Sequence, residues 1–191
     1  MKKTAILVVD MVYDFTNENG LVYYPQNKEI LPRIRQAVDI CRQYGALVVY
    51  LQHRYRKGKP DKNLTSMRPN CIEGSGGEEI DPSLEVLPQD YVIKKRRYSA
   101  FFGTDLDLVL REHDIRRVIV VGTKTNCCIR ATVTDAYNLD YEVHVIRDCV
   151  ATNDPVVNEV HLTDIHKYLG HVLPLEELEA LLAREEADET V

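Results

Sequence analysis

Apolar positions along the chain fall into short β-branched runs separated by longer amphipathic stretches. The runs are TAILVVD at 4–10, ALVVYL at 46–51, YVIK at 91–94, VIVVG at 118–122 and VHVIRD at 143–148. Uninterrupted apolar runs of this length predict buried strands. Between the first two, Ile30, Ile34, Ala37, Val38 and Cys41 recur at helical spacing, with Pro32 suited to an early turn and Gly45 placed to end the helix. Thr104 followed by Asp107 forms a capping pattern ahead of Leu106, Val109 and Leu110. A further helix is predicted from near Asn126 to near Asn138, and another after Pro155.

Strands that alternate with helices need crossover connections, and crossovers build a parallel sheet covered on both faces. The expected fold is therefore α/β, a three-layer α/β/α arrangement with a mostly parallel central sheet, formed by residues 1–191 as a single domain. Residues 52–90 break the rhythm with KGKPDKN and EGSGGEE, and a long excursion of that kind is expected to act as a lid or binding loop. Residues 184–191, within AREEADETV, are expected to be a frayed acidic tail.

Composition narrows the partners. A content of 45% hydrophobic and 28% charged residues suits an ordinary globular core. The net charge of −6 argues against a nucleic-acid or anionic-membrane surface and favours a small metabolite or another protein as partner. Five cysteines, an odd number with no CxxC, do not form a secreted disulfide framework. Asp10 interrupts the N-terminal apolar run, and no stretch approaches the ~18 apolar residues of a membrane span. The expected location is the cytoplasm.

In an open parallel sheet, ligands gather at the carboxyl ends of the strands. That edge receives Asp10 from the first run, Lys94 and Lys95 from the third, and the turn GTKTNCC at 122–128 from the fourth. A thiol at the start of a helix feels the positive end of the dipole, and a neighbouring ammonium stabilises its thiolate further. With an aspartate to accept the thiol proton and backbone N–H groups to hold an oxyanion, the set suits acyl transfer. Each part also has a structural reading: Asp10 as a turn former, Lys94 to Arg97 as a solvated cationic rim, and either Cys127 or Cys128 as a small buried hydrophobe. A non-catalytic α/β binding module is the rival class. The absence of GxxxxGK and GxGxxG leaves its phosphate-cradling version without a motif.

Three motifs in order resemble the isochorismatase-like cysteine hydrolases, which include nicotinamidases, N-carbamoylsarcosine amidases and ureide amidohydrolases. VDMVYDF at 9–15 resembles the family's V-D-x-Q-x-D-F, with Val12 where glutamine is common; KRRYSAF at 95–101 resembles its lysine motif; GTKTNCCIRAT at 122–132 resembles its nucleophile motif. The resemblance implies a catalytic triad of Asp10, Lys95 and Cys128, with Cys127 at a position the family fills with an apolar residue. It further implies that Asp10 draws the proton from Cys128, that Lys95 holds the thiolate, and that backbone N–H groups of Lys124 and Cys128 hold the oxyanion beside a frequent cis peptide. Phe15, Arg68 and Tyr98 are candidate substrate contacts, and a homodimer or homotetramer is the implied assembly.

Departures from the pattern refine the expected substrate. The nicotinamidase branch holds a metal through D-x-H and a later histidine, whereas this chain has LQH at 51–53, retaining only His53, and Asn70 at the later position. No metal and no cofactor are expected, since one histidine does not make a stable site. Isochorismatases proper, which cleave a vinyl ether, lack a cysteine nucleophile. The implied activity is hydrolysis of a C–N bond in a small amide, carbamoyl or ureide substrate through a thioester. A metal-assisted nicotinamidase-like amidase and a vinyl ether hydrolase stand as alternatives. His161 and His166 lack ligand spacing and are expected on the surface.

Overall fold

The computed structural model describes residues 3–188. Its sheet has six strands, β1 Lys3–Val9, β2 Leu47–His53, β3 Tyr91–Lys95, β4 Ile115–Thr123, β5 Glu142–Ala151 and β6 His171–Leu173, in the order β3-β2-β1-β4-β5-β6. Every neighbouring pair is parallel. The chain builds outward from β1 in one direction and then from β4 in the other. The order therefore reverses between β1 and β4, which is where an α/β sheet opens its ligand crevice.

Helices cover both faces, as the uninterrupted apolar runs require. Leu7, Val9, Val49, Leu51 and Ile93 pack with α4 (Leu106–Glu112), α5 (Arg130–Asn138) and α6 (Pro155–Tyr168). Ile6, Val8, Val48 and Tyr50 pack with α2 (Pro25–Gln43) and α7 (Leu178–Asp188). Two short helices, α1 (Tyr13–Thr16) and α3 (Lys62–Ser66), lie in the connections.

Several boundaries depart from the expected ones. Pro25 occupies the first turn of α2, so Pro32 falls inside that helix rather than near its start. The helix stops as predicted: Gly45, at φ +69°, and Ala46 donate back to the carbonyls of Arg42 and Cys41. Thr104 caps only loosely, its hydroxyl accepting from the N–H of Leu106 at 3.3 Å. β6 is a three-residue strand, too short for any alternation to reveal. The helix α7 runs to Asp188, with Leu178 and Leu182 buried; the end of the expected tail, 189–191, lies outside the described residues.

Residues 52–90 are more ordered than their composition suggests. β2 runs through His53, Tyr55 bridges Ile72, and Val12 bridges Ile80. The stretch from Cys71 to Asp81 lies along residues 11–14, with N–H groups of Tyr13, Asp14 and Asp81 bonded to carbonyls of Glu79, Gly77 and Met11. This segment closes over the carboxyl end of β1.

Candidate active site

The residue after β1 is Asp10, wholly buried and held at φ +56°, a left-handed conformation that aspartate tolerates better than most side chains. Its N–H donates to the carbonyl of Leu51 at 2.9 Å, which ties the turn to the end of β2. Lys95 ends edge strand β3 and reaches across to Asp10, with Nζ 2.7 Å from Oδ2 and neither side chain exposed. The same ammonium donates to the carbonyls of Arg97 at 2.9 Å and Tyr98 at 3.2 Å, and lies 3.5 Å from His53 Nδ1. Lys94, one residue earlier, is exposed on the other side of the strand, as the twofold period of a strand demands.

The third group comes from the turn after β4. Gly122 sits at φ +114°, and a Cβ there would lie 2.1 Å from the carbonyl oxygen of Val9. Only glycine lets β4 press against the end of β1 and bring the following turn toward Asp10. The Thr123–Lys124 peptide is cis. Thr125–Ile129 then form one π-helical turn, closed by the Ile129 N–H on the Lys124 carbonyl at 3.2 Å, before α5 begins. Cys128 is buried within the influence of the Asp10 and Lys95 charges, whereas Cys127 is half-buried and packs against the neighbouring core.

Polar side chains brace this turn from outside. Thr125 donates to Asn158 Oδ1 at 2.7 Å, Thr152 donates to Asn126 Oδ1 at 2.9 Å, and the Thr123 hydroxyl bonds the phenol of Tyr24. Asp14 holds the closing segment: its carboxylate accepts from the N–H of Cys71 at 2.6 Å and of Leu21 at 3.2 Å. A Cβ on Gly77 would lie 2.2 Å from the same carboxylate. The motif that contains Asp10 and Asp14 marks both residues in the sequence, but nothing local marks Tyr24, Thr152 or Asn158, whose partners are distant along the chain.

Electrostatics correct one sequence-based expectation. The Cys128 thiol is pushed up, first by burial and also by Asp10, and Lys95 offsets this only in part. Desolvation of a buried charge is the largest influence on this thiol, and the ammonium works against it. For Lys95, burial works to lower the pKa, but Asp10 and Cys128 carry it above its ordinary value.

His53 is pushed down to about 4, chiefly by burial, with Asp10 opposing and Lys95 adding to the shift. An unfolded histidine titrates near ~6.5, so between the two values the unfolded chain binds more protons than the folded one. Stability therefore rises with pH across that window and is lost as pH falls through it. From pH 7 to 4 this residue is expected to cost roughly 3 kcal/mol, at about 1.36 kcal/mol per unit. Urea unfolding at both pH values checks this, with His53→Gln expected to show a smaller loss than the parent; equal losses would count against it.

With the geometry in place, comparison with known proteins is decisive. The isochorismatase domain matches residues 4–177. The chain belongs to the isochorismatase family. Within that family it is 31% identical to an isochorismatase-like hydrolase from Alkaliphilus metalliredigens, whose structure superposes with a TM-score of 0.86 over 92% of this chain and 96% of that one. It is 34% identical over 182 residues to an Arabidopsis thaliana protein described as a probable inactive nicotinamidase, covering 91% of this chain and 92% of the relative. The ureidoacrylate amidohydrolase RutB of Rhizobium rhizogenes is 28% identical over 195 residues, covering 89% of this chain and 79% of that protein.

The metal position of this family's nicotinamidase branch does not fit the residues present. Leu51 is buried among apolar side chains and offers no donor. Asn70 turns its Nδ2 to the carbonyl of Arg68 at 2.8 Å, and His53 is engaged with Lys95. No step through a metal is drawn for this isochorismatase-family chain.

The three candidate substrate contacts are placed unequally. Phe15 is half-buried and meets the His53 ring edge-on at a centroid distance of 6.3 Å. Tyr98 joins the site through its backbone carbonyl on Lys95, while its exposed phenol lies 3.9 Å from the sulfur of Met67. Arg68 is exposed, and its carbonyl accepts from Asn70. His161, expected on the surface, is half-buried with Nδ1 3.3 Å from Arg130 Nη1; His166 is exposed. No described helix is long and apolar enough to cross a membrane.

Proposed function

We propose that the protein is a cysteine-dependent amidohydrolase that cleaves a C–N bond of a small carbamoyl or ureide substrate, with Cys128 as nucleophile. The observation that carries this reading is the buried Asp10–Lys95 pair at 2.7 Å, whose charges act on the buried Cys128 thiol beside it. A neutral thiol beside a carboxylate gives general-base attack rather than a stored thiolate.

As sulfur bonds the substrate carbonyl carbon, the thiol proton passes to Asp10 and the carbonyl π electrons move onto oxygen. Backbone N–H groups of Lys124 and Cys128, at the ends of the turn, hold that oxyanion. Lys95 keeps the local charge balanced while Asp10 is protonated. Asp10 then gives its proton to the leaving nitrogen, the C–N bond breaks, and ammonia departs from an acyl thioester. Water attacks next, losing a proton to Asp10; the C–S bond breaks, and the proton returns to sulfur.

The likeness to a ureidoacrylate amidohydrolase supports a ureide, and the buried apolar Leu51 and the engaged Asn70 turn the reading away from a nicotinamidase. Phe15, Arg68 and Tyr98 are the side chains proposed to face the substrate. Ammonia release from a panel of carbamoyl amino acids, ureides, simple amides and nicotinamide tests the proposal. Turnover is expected for at least one carbamoyl or ureide member and not for nicotinamide; release from nicotinamide alone, or from none, would overturn it.

A further inference from the structure

Cations are concentrated in one place on this acidic chain. A cleft of about 310 Å³ is lined by Arg54, Arg56, Lys57, Lys59, Lys94 and Arg96, with Glu73 as the one carboxylate and Gly103 at its rim. Glu73 is spent on Arg54 at 2.6 Å, and Arg96 lies 3.5 Å from Asp61. Among the described residues no ion pair involves Arg56, Lys57, Lys59 or Lys94. The lining thus carries a surplus of five positive charges in a chain of net charge −6. Such a cluster repels itself until an anion enters.

A second depression of about 90 Å³ adjoins it, sharing Lys94, Arg96 and Gly103 and adding Arg97 and Phe102. Phe102 is 65% exposed, an unusual setting for a phenylalanine and one that leaves a ring face open for stacking. Gly103, at φ +67° with nothing within 4 Å of a Cβ, places no side chain between the two depressions.

We propose that this double cleft binds a nucleoside polyphosphate, with the phosphates among Arg56, Lys57, Lys59 and Lys94 and the base on Phe102. Guanidinium forks and ammonium point charges both suit phosphate oxygens. Several unneutralised cations call for several linked anionic groups rather than one carboxylate. The volume of the larger cleft falls at the small end of ligand pockets, which suits a compact molecule. Lys94 alternates with Lys95 across β3, so the cleft lies on the opposite side of that strand from the amide site. The proposal does not depend on the amidase reading.

Calorimetric titration of the protein at physiological salt with ATP, inorganic pyrophosphate, adenosine and a single-stranded RNA oligonucleotide tests it. ATP and pyrophosphate are expected to saturate one site and adenosine not to bind. Lys94→Glu combined with Arg56→Glu should weaken ATP by about tenfold or more per cation lost. Phe102→Ala should weaken ATP by about fivefold or more and leave pyrophosphate unchanged, since stacking touches only the base. An unchanged unfolding midpoint shows that each variant folds, and if the double variant does not fold, the wild-type and Phe102→Ala titrations decide. The proposal is overturned if wild-type protein shows no saturable ATP binding, if ATP binding survives the charge reversal undiminished, or if RNA binds more tightly than ATP in proportion to its length.

Discussion

Replacing Cys128 by alanine is expected to lower amide hydrolysis by roughly 10⁴-fold or more, the scale seen when the nucleophile of a covalent mechanism is removed. Cys127→Ala should retain most of the rate. The two thiols are adjacent, yet Cys128 is buried where the Asp10 and Lys95 charges reach it, whereas Cys127 is half-buried at the edge of the core. Mass spectrometry of protein quenched during turnover is the second readout, with an acyl adduct expected on Cys128 in the parent and on the same residue in Cys127→Ala. An adduct on Cys127, or full activity without Cys128, would sink the assignment.

Lys95→Met should be the most destabilising single change at this site, by about 3–5 kcal/mol. The side chain is wholly buried, and its removal leaves the Asp10 carboxylate in an apolar enclosure without its countercharge. The carbonyls of Arg97 and Tyr98 lose their donor as well. Adding Asp10→Asn to Lys95→Met should recover most of the loss, because the buried charge is then gone, although both variants are expected to be inactive. Urea unfolding of the two single variants and the double variant measures the coupling; simply additive costs would mean that the ion pair contributes nothing beyond its separate parts.

Much of the architecture is legible in the sequence because doubly covered strands need long apolar runs, and five such runs stand out. β6 escapes, since three residues beside α6 carry no period of their own. The start of α2 escapes because Pro32 looks like a helix opening while Pro25, a residue with the same backbone preference, takes that position. At the site, the resemblance of the three motifs to the family points to Asp10, Lys95 and Cys128, and the structure brings the three together. The state of the thiol could not be read in advance, because the helix start and the ammonium are visible in the sequence whereas the burial that outweighs them is a property of the packed fold. Likewise the braces Thr125–Asn158 and Thr152–Asn126 join residues far apart in the chain, and no local pattern announces them.

The bonds around Tyr55, Cys71 and Asp14 have an evolutionary consequence. Tyr55 and Cys71 are clasped by backbone bonds in both directions, from the Tyr55 N–H to Cys71 and from Glu73 to Tyr55, and Asp14 pins Cys71 from below. Residues 56–70 thus leave and re-enter the fold at one fixed doorway. Loop length costs little once its ends are held together. That stretch can be lengthened, shortened or exchanged wholesale as a cassette, carrying Arg68 and three cations of the basic cleft, Arg56, Lys57 and Lys59, with it, while the machinery around Asp10 stays in register.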